Sequence, residues 1–96
     1  MFSKLKQFKE LRSKAKTLQS ALAEEKVEAS AAWGKIKMVM NGNQEAQSVT
    51  IDPELLANKE KLEGAIKDVT NEAIKKTQRV MAEKMRQDGG FKMPGM

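Results

Sequence analysis

The chain contains no cysteine, no histidine and no tyrosine. Without cysteine there is no disulfide framework and no thiolate metal site. Losing histidine as well removes the usual zinc ligands and the commonest acid–base catalyst. Methionine is the only sulfur residue; it suits adaptable packing and does not by itself make a metal site. No Gly-rich phosphate loop lies between a strand and a helix, and no pair of carboxylates is marked out for catalysis. The sequence therefore points away from an enzyme and calls for no metal or cofactor. No apolar run reaches the length of a membrane span. The opening MFSKLKQFKELRSKAK alternates charged and apolar residues, so it lacks the apolar centre of a secretory signal. The expectation is a cytoplasmic protein with one small core, since 96 residues bury little.

Charge is abundant. Eighteen Lys and Arg against thirteen Asp and Glu give a net charge of +5, which favours a polyanionic partner. The distribution is uneven. Between Met1 and Leu22 the basic residues are Lys4, Lys6, Lys9, Arg12, Lys14 and Lys16, and Glu10 is the only acid. Phe8, Leu11, Ala15, Leu18 and Leu22 are spaced three, four, three, four, with Leu5 extending the row. This predicts a helix over about 2–26 with one apolar seam. A rotation of about 100° per residue puts Lys6, Lys9 and Lys16 opposite the seam and Arg12 and Lys14 on its flanks. Lysines at a helix N-terminus oppose the macrodipole, so helix stability alone does not account for them.

The middle of the chain reads as a strand meander. Val27, Ala29, Ala31 and Trp33 alternate with polar or small residues as in a strand, while the alanines also fit a continuation of the first helix. Ile36, Met38 and Met40 share one face of a second strand. A third is expected over 45–51, with Gln47, Val49 and Ile51 on one face. Asn41-Gly42 predicts a type I′ hairpin turn with positive φ at both residues. Trp33, the only tryptophan, reads as a core or interface plug, because stacking platforms for nucleic acid use several aromatics.

Asp52-Pro53 marks a helix start, with Pro53 at the first helical position. Asn58 is a second N-cap before a long helix, about 59–87. Its seam is Leu62, Ile66, Val69 and Ala73; it weakens at Lys76 and resumes at Val80 or Met81. Arg79 and Arg86 are its strongest phosphate candidates, because guanidinium grips phosphate at two points. Asp88-Gly89-Gly90 ends the helix, and 89–96 is expected to be a flexible tail after a single domain at 1–88. The fold class is α+β: a three-stranded antiparallel meander between two long helices. A helix of roughly 43 Å overhangs any compact domain of this size, so a homodimer is expected.

The runs VMNGNQEAQSVTIDPELL, LEGAIKDVTNEAIKKTQRVMAEKM and GGFKMPG, with the basic opening MF helix, resemble the YbaB/EbfC family of bacterial nucleoid-associated proteins over nearly the whole chain. The resemblance implies an α-β-β-β-α subunit, a tweezer-like homodimer, and double-stranded DNA binding with low or variable sequence preference. It carries over no catalytic residue. Two positions depart from its pattern. Ala31-Ala32-Trp33-Gly34 stands where a glycine-rich turn is usual, and Gly64 follows Leu62-Glu63 where an acid is usual. The DNA-binding candidates are Lys6, Lys9, Arg12, Lys16, Arg79 and Arg86. Long amphipathic helices also suit a protein-interaction adaptor, and phosphate contacts alone do not separate DNA from RNA.

Overall fold

The computed structural model describes residues 2–88, with side chains from Lys4 to Gln87; the expected tail at 89–96 lies outside them. The order is α1 (Phe2–Glu24), β1 (Lys26–Ala31), β2 (Ile36–Asn41), β3 (Ala46–Ile51), α2 (Pro53–Leu56) and α3 (Lys59–Asp88). This is the expected α-β-β-β-α arrangement. The sheet is an antiparallel meander in the order β1-β2-β3. Lys26 pairs with Asn41 and Ala31 with Ile36 in the first ladder; Ile36 pairs with Ile51 in the second.

One face of β1 and β2 carries the apolar set, and α3 lies across it. Ala29, Ile36, Met38, Met40, Leu55, Ala65, Val69 and Ala73 form the core. Three of these eight are alanines, so the helix approaches β1 and β2 closely but gains little apolar area. Full burial of a side chain such as Ile36 or Val69 is worth about 1.5–3 kcal/mol; there are few of them.

The seam of α3 runs through Ala65, Val69, Ala73 and Thr77, all buried, not through Ile66, which is exposed. It does not weaken at Lys76. Thr77 is fully buried because its hydroxyl donates to the Ile74 carbonyl at 2.8 Å. Lys76 lays its ammonium on the Glu28 carbonyl at 2.7 Å, tying α3 to β1.

The ladder between β2 and β3 carries a bulge. Val39 pairs with Ser48, but Met40 pairs with Ala46, leaving Gln47 as the extra residue. The expected simple alternation through Gln47 therefore breaks, since a bulge sets two residues against one.

Helix entries follow the expected chemistry. The Asp52 carboxylate accepts from the Glu54 N–H at 2.9 Å with Pro53 in the first turn. Asn58 accepts from the Lys61 N–H at 3.0 Å and starts α3.

The two hairpin loops reverse the expected assignment. Neither Asn41 nor Gly42 has positive φ. Instead the Gln44 N–H donates to the Asn41 carbonyl at 3.0 Å, and Gln44 itself is left-handed at φ 64. That is a three-residue loop closed by a left-handed residue. The Asn41 amide oxygen accepts from the Asn43 and Glu45 N–H groups, at 3.0 and 3.1 Å, and its NH2 donates to the Glu45 carboxylate at 2.9 Å. These local bonds outcompete the primed turn.

The primed turn stands at the other hairpin. Trp33 has φ 59 and ψ 34, Gly34 has φ 84, and the Lys35 N–H donates to the Ala32 carbonyl at 3.1 Å. Ala32 is left-handed too, at φ 52. Trp33 is not a core plug: its relative exposure is 101%, because a type I′ turn points its side chain outward from the hairpin tip.

Gly42 is needed for a close approach. Its N–H donates to the carbonyls of Leu22 at 2.9 Å and Glu25 at 3.0 Å, and Asn43 donates to the Gln19 carbonyl at 2.9 Å. The β2–β3 loop thus caps the C-terminus of α1. A Cβ on Gly42 would stand 2.7 Å from the Leu22 carbonyl oxygen.

Two outcomes follow from these loops. Gly42→Val should lower stability by about 1–3 kcal/mol, the usual cost of overpacking, and should loosen α1. A thermal melt equal to that of the parent would remove this close-packing account. Trp33→Gly should melt no lower than the parent. A left-handed non-glycine residue costs roughly 1–2 kcal/mol, which offsets the extra freedom glycine gives the unfolded chain, and no packing is lost. A loss of about 2 kcal/mol in chemical denaturation would show that the indole packs within the chain.

Candidate nucleic-acid interface

The site is built on α1. Lys4 to Thr17 are all exposed, and only the end of the helix, at Leu22, is buried. About two-thirds of the helix therefore projects from its cap at Gly42 with no neighbour among the described residues. Its apolar seam is open, with Leu5, Phe8 and Leu11 at 62%, 63% and 59% exposure.

Lys9, Arg12, Ser13 and Lys16 line one shallow groove on this helix, and Lys6 lies one turn before it. Ser13 and Thr17 complete the surface; the Thr17 hydroxyl donates to the Ser13 carbonyl at 3.0 Å. Among the described residues, Lys6, Lys9, Arg12 and Lys16 make no salt bridge. The structure thus brings these four expected residues together as free cations on one rod. Four charges over eleven residues, Lys6 to Lys16, span about 15 Å of helix axis. A duplex presents one phosphate charge per about 1.7 Å, so such a rod can meet several phosphates and displace counterions.

The α3 candidates stand apart. Arg79 shares a cleft with Glu25, Val80, Glu83, Lys84 and Gln87 at the junction of α1 and β1. That cleft is on the order of 13 Å along the chain axis from Lys16. Arg86 pairs with Glu83 at 3.3 Å, and Lys84 with Glu25 at 3.0 Å. Their surroundings are of mixed sign, which suits a solvated, internally compensated surface. Neither arginine joins the α1 group.

At the opposite end of the sheet Lys35 pairs with Glu54 at 2.6 Å. The hydrogen bond to Glu54, and then its charge, hold the Lys35 ammonium above its usual pKa, so it remains a cation. Sequence reading did not find the cap that aims α1. Asn41-Gly42-Asn43 signals a turn, and nothing local to it signals the helix that docks there. Among the described residues no cluster of carboxylates could hold a metal ion, and no helix is long and apolar enough to cross a membrane.

Comparison with known proteins agrees with the fold. A nucleoid-associated protein of Syntrophobacter fumaroxidans is 35% identical over 99% of this chain and 89% of its own length. One from Pelotomaculum thermopropionicum is 35% identical over all of this chain and 94% of its own. The crystal structure of HP0035, an uncharacterised protein of Helicobacter pylori, superposes with a TM-score of 0.77 over 94% of this chain and 98% of that one; at 19% identity it shows the shared fold. The YbaB/EbfC DNA-binding family model matches residues 1–90. With the match spanning both helices and the whole meander, the chain belongs to the YbaB/EbfC DNA-binding family.

Proposed function

We propose that this chain is a nucleoid-associated DNA-binding protein that works as a homodimer. Each subunit grips the duplex backbone through Lys6, Lys9, Arg12 and Lys16. The observation that carries the reading is the free α1 rod with its four unpaired cations. Phosphate contacts fix position without reading sequence, so low or variable sequence preference follows from the same surface. Arg79 and Arg86 play a lesser part, because Glu25 and Glu83 stand beside them. The role is one of binding, without catalysis, in the nucleoid and hence the cytoplasm.

Shape supports the second copy. The radius of gyration is 18.1 Å and the extents are 63 × 22 × 19 Å, whereas a compact chain of this length has a radius of about 12–13 Å. Leu5, Phe8 and Leu11 on α1 are uncovered, as are Val49 on β3 and Leu56 and Ile66 near the start of α3. So many uncovered apolar side chains on a chain with so small a core call for a partner surface, and closed twofold symmetry is the commonest way to supply one.

Light scattering at micromolar concentration should give about twice the subunit mass of 10.7 kDa. A monodisperse, cooperatively melting monomer would overturn the homodimer.

Replacing Lys9 and Arg12 with glutamine should weaken binding to unrelated duplexes alike and leave the melt almost unchanged. Each lost phosphate contact should flatten the slope of log affinity against log salt by about 0.9, and twice that where both subunits touch DNA. An unchanged slope in a folded protein would move the interface off this face of α1. Absence of DNA binding by the parent at low salt would favour an adaptor that holds another protein.

A further inference from the structure

Two residues that each cost stability face the same groove. Trp33 holds a left-handed backbone at φ 59 and buries nothing within its own chain. Gly64 stands inside α3, where glycine costs about 1 kcal/mol relative to alanine. A Cβ at Gly64 would meet no atom within 4 Å, so no close packing in the chain requires the glycine. Both border a groove of about 330 Å³ whose other walls are Ala32, Lys35, Leu55, Lys61, Ala65 and Asp68. Strain kept at an exposed position points to a contact made outside the chain.

The chemistry of the walls identifies the contact. The indole offers a flat π-face, and Gly64 and Ala65 leave the opposite side low. Lys61 makes no salt bridge among the described residues, whereas Lys35 is held by Glu54. Asp68 is the one carboxylate in the lining. A planar ring and one free ammonium on the border of one groove fit an aromatic group that carries a phosphate. A single indole makes a platform for one base, not a track for many.

We propose that Trp33 and Lys61 form a stacking site for one unpaired nucleotide, the base on the indole and its phosphate on the Lys61 ammonium. The site lies at the hairpin tip, across the length of the sheet from the cap of α1. It is thus separate from the duplex-gripping rod. The inference rests on the DNA-binding reading only for the class of polymer.

Because Trp33 is the only tryptophan, intrinsic fluorescence reports this position alone. A short oligothymidylate should quench it at saturation, and an abasic oligomer of the same length should not. Anisotropy of labelled oligothymidylate should show Trp33→Leu weakening binding by roughly 5- to 150-fold, the range of one base–aromatic stack. Lys61→Gln should weaken it less. Both variants should keep the parent melt and the parent affinity for blunt duplex.

Equal quenching by the abasic oligomer, or unchanged oligothymidylate affinity in Trp33→Leu, would overturn the site and leave Trp33 as a protein-docking anchor. Lys9→Gln with Arg12→Gln should weaken duplex binding yet keep base-dependent quenching. If the parent fails to bind blunt duplex while oligothymidylate still quenches, the α1 reading falls and the stacking site stands.

Discussion

The amide of Gly42, shared between the carbonyls of Leu22 and Glu25, is the contact on which the functional geometry depends. A helix C-terminus leaves its last carbonyls without partners. Here a loop from the sheet supplies them, with Asn43 reaching one turn further back to Gln19. The contact is short-range and needs a residue without a Cβ. Lys4 to Thr17 on α1 are all exposed, so the direction of the basic rod is fixed at this one end. Burial of Leu22 against the loop adds the apolar part of the same joint. The cap therefore converts a helix with weak attachment into a cationic arm with a defined root.

The remainder of the molecule is arranged to hold that root. Asn41 organises the loop through three side-chain hydrogen bonds, and its position at the end of β2 ties the loop to the ladder with β1. α3 clamps β1 through small residues and the Lys76 bond to Glu28. At the same end of the sheet Lys84 meets Glu25, just past the end of α1. That ion pair is partly exposed and so worth at most about 1 kcal/mol. Its place is informative all the same: the root of α1 is braced on one side by the β2–β3 loop and on the other by α3.

Most of the fold was legible because its signals are local. The spacing of apolar residues marked both long helices, and Asp52-Pro53 and Asn58 marked the starts of α2 and α3 through groups that act within three residues. The errors came where two local devices competed or where a distant element decided. Asn-Gly is the common signature of a primed turn, but Asn41 spends its side chain on Asn43 and Glu45. The preceding loop, between β1 and β2, took the primed geometry, with tryptophan in a place that glycine fits better. The α3 seam holds at Leu62, Val69 and Ala73 and differs at one position, where the sheet accepts the small Ala65 and leaves Ile66 outside. The bulge at Gln47 had no marker such as glycine.

The same logic divides the candidate site. Lys6, Lys9, Arg12 and Lys16 could be grouped from periodicity alone, since a helix places them without help from the rest of the chain. Arg79 and Arg86 could not be judged that way. Their worth depends on Glu25 and Glu83, and Glu25 comes from a segment more than fifty positions away in the chain. A cation's value for binding phosphate is set by what already sits beside it, as much as by its own charge. On that criterion the molecule has two chemically distinct ends. The α1 end offers several free cations in a row, which suits a continuous backbone. The Trp33 end offers one ring and one free ammonium, which suits a single nucleotide. A protein with both ends can hold a duplex by its phosphates while meeting an unpaired base some distance away, and the rigid meander between them fixes that distance.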